Sequence, residues 1–185
     1  AVRAMLGGLT DSHKDAMWGR TDDGLAYLNI YALEKPELPQ VADEMLEMLG
    51  DSWGLVIDLR FNGGGGEDLG RQIAGRFLDR PALYSRHQYR SGPAHTDLGA
   101  MRDRVVRPRG PWRWQAPVVV LIGQRTMSSA ESFALMLAQC PGVVTMGDRT
   151  AGSSGKPRRL EAGIGITVNM PTWVDYLPDG TPLEE

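Results

Sequence analysis

Two short apolar runs constrain this chain more than any other feature. Leu55 to Leu59 and Pro117 to Ile122 are almost continuously apolar, and each leads through a turn into a helical pattern. Runs of this length with no wet face read as strands covered on both sides, as in a parallel sheet. After the first run, Leu69, Ile73 and Phe77 share one face of a helix expected over 68–78. After the second, Ala130, Phe133, Ala134, Leu137 and Ala138 fall at helical spacing. A further helix is expected from Leu38, with Val41, Ala42, Met45, Leu46 and Leu49 on its apolar face and Gly50 as its stop. Gly24 to Tyr31 follows an Asp-Asp-Gly turn and reads as a strand, as does Val143 to Met146. Ile164, Ile166, Val168 and Met170 alternate, which predicts a strand with one wet face. Strands alternating with helices predict an α/β layered fold with a mostly parallel central sheet flanked by helices. In such folds sites gather at the carboxyl ends of strands. The glycine cluster Gly63 to Gly66 and Ser128 both lie just past such ends.

The 185 residues suit one domain, and a hydrophobic fraction of 42% is enough for a core. A formal net charge of −3 argues against a nucleic-acid partner, which calls for a basic excess. The segment 79–115 departs from this balance, with eight Arg against two Asp between Arg80 and Trp114. It shows little periodicity and is expected to be an irregular, mostly solvated insertion, or else a receiver of an anionic group. Cys140 is the single cysteine, so no internal disulfide is available. No apolar run reaches membrane-spanning length. Residues 1–8 read like the end of an element already under way, and Leu183-Glu184-Glu185 stops without a closing element. The sequence therefore reads as part of a longer chain, with an N-terminal segment 1–23 ahead of a core 24–185. The compartment stays open, a secreted or periplasmic one being favoured over the cytoplasm. A homo-oligomer is allowed.

Ser128 stands at the start of a helix after a buried strand, where unpaired backbone N–H groups favour developing negative charge. A nucleophile there would have its oxyanion stabilised. Spacing alone favours a plainer reading, since Ser128 with Glu131 three residues on is a capping box. The glycine cluster is either a flexible turn or half of an oxyanion hole. No Gly-Lys-Ser/Thr follows it, so it is not a phosphate loop of the Walker type. His13 is a general base or a solvated loop residue. His87 and His95 sit in the Arg-rich insertion, and no histidine has metal-ligand spacing, so neither a metal nor a cofactor is expected.

Four segments in order resemble one family. Leu55 to Gly64 (LVIDLRFNGG) is similar to the LDLRxNxGG segment of the tail-specific, or C-terminal processing, proteases and the tricorn protease core. Thr126 to Glu131 (TMSSAE) resembles their nucleophile segment SASAxE, and Gly147 to Gly152 (GDRTAG) their GxxTxG turn. Asp179 to Glu184 (DGTPLE) resembles the start of their closing DGxxxE segment. The resemblance implies a ClpP/crotonase-like layered core, a Ser128 nucleophile, and a peptide or protein substrate. It implies an oxyanion hole made by the backbone N–H groups of Ser129 and Gly64. Tail-specific members place a lysine base directly after the GxxTxG turn; that position here is Ser153, with Lys156 three residues later. The tricorn-like branch uses a His preceded by Ser, plus a late Glu. Carried over, that tetrad is Ser128, His13, Ser12 and Glu184. Only Lys14 to Asp23 separates His13 from the next strand, which leaves no room for the PDZ domain these enzymes carry there. The retinoid-binding repeats of the interphotoreceptor protein share the core without it, so a non-catalytic ligand- or peptide-binding module is the alternative. A crotonase-type acyl-CoA enzyme would share the layers but give the serine segment no role.

Overall fold

The computed structural model describes residues 10–184. Eleven strands and three helices are formed among the described residues, in two larger sheets and one hairpin. The main sheet is built from β1 (Thr10–Ser12), β2 (Ala16–Arg20), β3 (Leu25–Ile30), β4 (Gly54–Asp58), β7 (Val118–Ile122) and β8 (Val143–Gly147), in the order β1-β2-β3-β4-β7-β8. The pairs β3–β4, β4–β7 and β7–β8 are parallel, while β1–β2 and β2–β3 are antiparallel. The two apolar runs are thus the central neighbours β4 and β7, with Ile57 paired to Val120 and both fully buried.

The parallel pairs need crossovers, and helices supply them. Helix α1 (Leu38–Met48) connects β3 to β4, beginning with Pro39 in its first turn, where the missing N–H costs nothing. It buries Leu38 together with Ala42, Met45 and Leu46 of the expected face, while Val41 stays half-buried. Helix α2 (Glu67–Ala74) follows the glycine cluster, and α3 (Ser129–Ala138) lies between β7 and β8. Helix α2 is shorter than expected: it leaves the α form at Gly75, and turn bonds carry the chain from there to Phe77. Helices α2 and α3 pack on each other, with Phe133 against Gly70 at a spacing that a Cβ would close to 3.1 Å. Phe77, Phe133, Leu137, Ile73 and Met45 join the strands in one core.

Two sequence expectations are corrected. The segment 79–115 is not an irregular insertion. It contains β5 (Ala82–Tyr89) and β6 (Arg102–Val106), which pair antiparallel, and β5 also pairs with β11 (Trp173–Tyr176). Periodicity missed them because charged side chains are buried there. Arg104 is 8% exposed, bonded to Asp175 at 2.7 Å and to Glu67. Arg76 is likewise buried, with both Asp43 oxygens within 2.9 Å. The alternating segment 164–170 is not a half-buried strand. Gly163 and Gly165, both at positive φ, turn the chain back, and β10 (Thr167–Met170) pairs with β9 (Arg158–Glu161) in a hairpin exposed on both faces. Strands β1 and β2, ahead of residue 24, continue the main sheet beyond β3. No helix among the described residues is long and apolar enough to cross a membrane.

Candidate active site

The loop after β4 is fixed before any chemistry is considered. Asp58, 1% exposed, accepts from the Arg60 backbone and guanidinium and from the Tyr27 hydroxyl at 2.7 to 3.0 Å. Burial and the neighbouring Asp58 carboxylate push the Tyr27 phenol up to about 12. Asn62, fully buried, then ties the loop in three directions. Its Nδ2 donates to the Ile30 carbonyl, its Oδ1 accepts from the Gly64 amide, and its own carbonyl accepts from the Met127 amide. Thr126 adds a bond from its hydroxyl to the Leu59 carbonyl at 2.8 Å. These bonds draw the ends of β4 and β7 together, and with them the glycine cluster and Ser128. A Cβ on Gly64 would lie 2.9 Å from the Ser128 Cβ, so the two segments touch where only glycine fits.

Ser128 precedes α3 with φ 58° and ψ −128°, a conformation L-residues rarely adopt. An ordinary N-cap residue is extended with negative φ. The capping box of Ser128 and Glu131 is present, but Glu131 does more than cap. The Glu131 carboxylate, 2% exposed, accepts from the amides of Ser128 (2.8 Å), Gly152 (2.7 Å) and Ser153 (3.1 Å). The Ser128 amide also donates to the Ser153 carbonyl at 2.8 Å. The segment after the GDRTAG turn and the start of α3 therefore bend Ser128 between them. Ser128 Oγ donates no hydrogen bond to any described residue.

Two amides flank this serine without a protein partner among the described residues. One is Ser129, at the first position of α3. The other is Gly65 rather than Gly64. The Gly64 amide is committed to Asn62, and the Gly66 amide donates to the Leu33 carbonyl. Gly65 sits between them at φ 132°, bridged to Leu33 through its neighbours, and its carbonyl accepts from the Ser129 hydroxyl at 2.7 Å. Its carbonyl thus faces the start of α3. A cavity of about 460 Å³ opens here, lined among others by Gly65, Ser128, Ser129, Ser154, Lys156 and Trp173.

The remaining expected site residues are not gathered around Ser128. His13 stands in the turn between β1 and β2, its Nδ1 accepting from the Asp15 amide at 3.3 Å and its Nε2 3.5 Å from Glu37 Oε1. It neither lines the cavity nor bonds to Ser128. The same turn is held to the segment that clamps the glycines, because Asp15 accepts from the amides of Glu34 and Lys35. Glu37 was invisible in the sequence as a partner for His13, since it reads only as a residue ahead of a helix. Glu184 Oε1 accepts from the Ser154 amide at 2.6 Å, so it touches the segment that bends Ser128 rather than the imidazole. Ser12 is exposed at the end of β1. No group of three His, Cys, Asp or Glu side chains among the described residues is arranged to hold a metal ion.

The model of peptidase family S41 matches residues 24–185. No curated protein sequence matches the chain. Among solved structures, a protein from Parabacteroides merdae superposes with a TM-score of 0.90 at 28% identity, over 99% of this chain and 58% of its own. Mature CPAF gives a TM-score of 0.77 at 14% identity, over 91% of this chain and 47% of CPAF. The photosystem II D1 C-terminal processing protease gives 0.67 at 18%, over 94% and 46%. The latter two likenesses are of fold alone. This chain spans less than two thirds of the length of each of these proteins.

Proposed function

This chain belongs to peptidase family S41, and we propose that it is the catalytic core of a serine peptidase with Ser128 as nucleophile. The observation that carries this reading is the backbone of Ser128. A helix cap has no need of φ 58°, whereas a nucleophile held out of the helix toward a cavity does. In the reaction Ser128 Oγ attacks the carbonyl carbon of the scissile peptide bond. The resulting oxyanion is received by the amides of Ser129 and Gly65, the second replacing the Gly64 amide that Asn62 occupies. The tetrahedral species collapses to an acyl-enzyme and expels the amine, which takes the proton removed from Ser128. Water then releases the acyl group by the same route.

His13 is the proposed base. Its hydrogen bond to Ser128 would form on substrate binding, when catalytic hydrogen bonds often tighten. Glu37 is the group beside it that can orient the ring and stabilise imidazolium, a task the family resemblance gave to Ser12 and Glu184. Glu184 instead supports the Ser154 backbone. The test is labelling by a fluorophosphonate at neutral pH, with the modified residue found by mass spectrometry. Labelling at Ser128, absent in Ser128→Ala and slowed at least a hundredfold in His13→Ala, is expected. A folded protein that does not label favours a binding module on the same core.

A further inference from the structure

Lys156 lies in the cavity wall with Ser128, and the two share an uncommon property. Ser128, Lys156 and Ile164 are the non-glycine residues at positive φ among those described, and Ile164 belongs to an exposed hairpin turn. Lys156 adopts φ 42°. Its carbonyl and that of Gly155 both accept from Thr172, by hydroxyl bonds at 2.9 and 3.1 Å and an amide bond to Gly155 at 2.8 Å. Backbone strain of this kind persists only where the surroundings over-determine it. Here it aims the lysine over Trp173, with the ammonium 5.8 Å from the ring centroid.

The other charges around it are paired with one another. Arg104 pairs with Glu67 and Asp175, and Arg71 with Glu67 and Asp68. Asp175 takes further bonds from Trp173 Nε1 and the Ser154 hydroxyl, and Glu67 from the Tyr84 hydroxyl. Asp68, 82% exposed, sits out at the rim. Lys156 forms no ion pair with any described acid. The lining carries three carboxylates against three cations, and of the cations Lys156 is the one with no carboxylate of a described residue in ion-pair reach, beside a serine and an indole wall.

We infer that Lys156 is a specificity residue that receives an acidic side chain, Asp or Glu, next to the scissile bond. This rests on the reading of Ser128 as a peptidase nucleophile. Trp173 and Pro157 would cover the methylenes of the substrate acid, and the ammonium would meet its carboxylate in a charge-assisted hydrogen bond. Such a bond corresponds to a preference of about tenfold in kcat/KM.

The experiment uses matched fluorogenic peptides that differ only as Glu against Gln beside the cleaved bond. The wild-type chain is expected to favour Glu about tenfold, K156R to keep the preference, K156Q to abolish it and K156E to favour a Lys peptide. Equal cleavage of the Glu and Gln peptides by a protein that labels at Ser128 would overturn the inference and leave the peptidase reading intact. Loss of fluorophosphonate labelling in folded K156Q would also overturn it, by placing Lys156 in the chemistry. If the wild-type chain does not label, equilibrium binding of the two peptides to the chain, followed by tryptophan fluorescence, decides: tighter binding of the Glu peptide supports the anion site, and equal binding removes it.

Discussion

Replacing Ser128 by glycine gives opposite outcomes for a helix cap and for a strained nucleophile. At an ordinary N-cap, Ser→Gly costs a few tenths of a kcal/mol, because the accepting oxygen is lost and the backbone gains nothing. At φ 58° and ψ −128° the serine backbone stores about 1–3 kcal/mol. Glycine releases that strain but gives up about 0.5–1 kcal/mol through the greater freedom of the unfolded chain. The balance is a gain of about 1 kcal/mol. For a chain of 185 residues this raises the melting temperature by about 2–4 °C. Urea unfolding of wild type, S128G and S128A measures it, with an unchanged slope showing that the unfolded state is not altered. S128G should be the most stable of the three, and both variants should fail to label with fluorophosphonate. A glycine variant less stable than wild type would refute the strain argument and return Ser128 to the role of a cap.

Glu131→Gln turns one of two buried acceptor oxygens into a donor facing backbone amides; a loss of about 3 kcal/mol is expected from the urea midpoint, with slower Ser128 labelling. Gly65→Ala drives a Cβ into the Leu33 carbonyl at a φ of 132°, so it should cost at least about 2 kcal/mol by the same assay and suppress labelling. Burial alone would raise the Asp43 carboxyl, but the guanidinium groups of Arg76 and Arg109 outweigh it and hold the group below the usual carboxylate range. The resulting stability is present above the unfolded-state value of about 4 and is lost as pH falls through the lower folded value, so wild type should weaken steeply in that range. Asp43→Asn should lose about 3 kcal/mol near pH 7 and show a shallower acid slope in urea midpoints taken between about pH 5 and 2.

What the sequence discloses depends on where charge lies. β4, β7, α1 and α3 are legible because apolar residues make up most of what each of them buries. β5, β6 and β11 escape because Arg104 and Asp175 are buried together, 71 residues apart, each making the other's burial tolerable. A reader of one segment sees only a charge and infers solvent. The site follows the same rule. Ser128, its helix and the glycine cluster are local patterns, and they are visible. Which glycine amide stays open depends on where the Asn62 side chain bonds, and the neighbour of His13 depends on how a hairpin meets α1. Neither is a property of spacing. The capping-box reading of Ser128 and Glu131 was half of the answer, since Glu131 also collects Gly152 and Ser153 from the following segment.

That collection has a consequence for how the protein is made. Ser128 is held in its strained form by residues 24 and 25 positions later in the chain, and Ser154 in turn is held by Glu184. During synthesis at about 5–20 residues per second, Ser128 therefore emerges seconds before the residues that bend it. Until they arrive, no bond to them opposes a relaxed turn. A nascent or truncated chain that ends before the GDRTAG segment lacks the bonds that bend Ser128. The bent form of Ser128 comes with residues 152, 153 and 184 rather than with the serine itself.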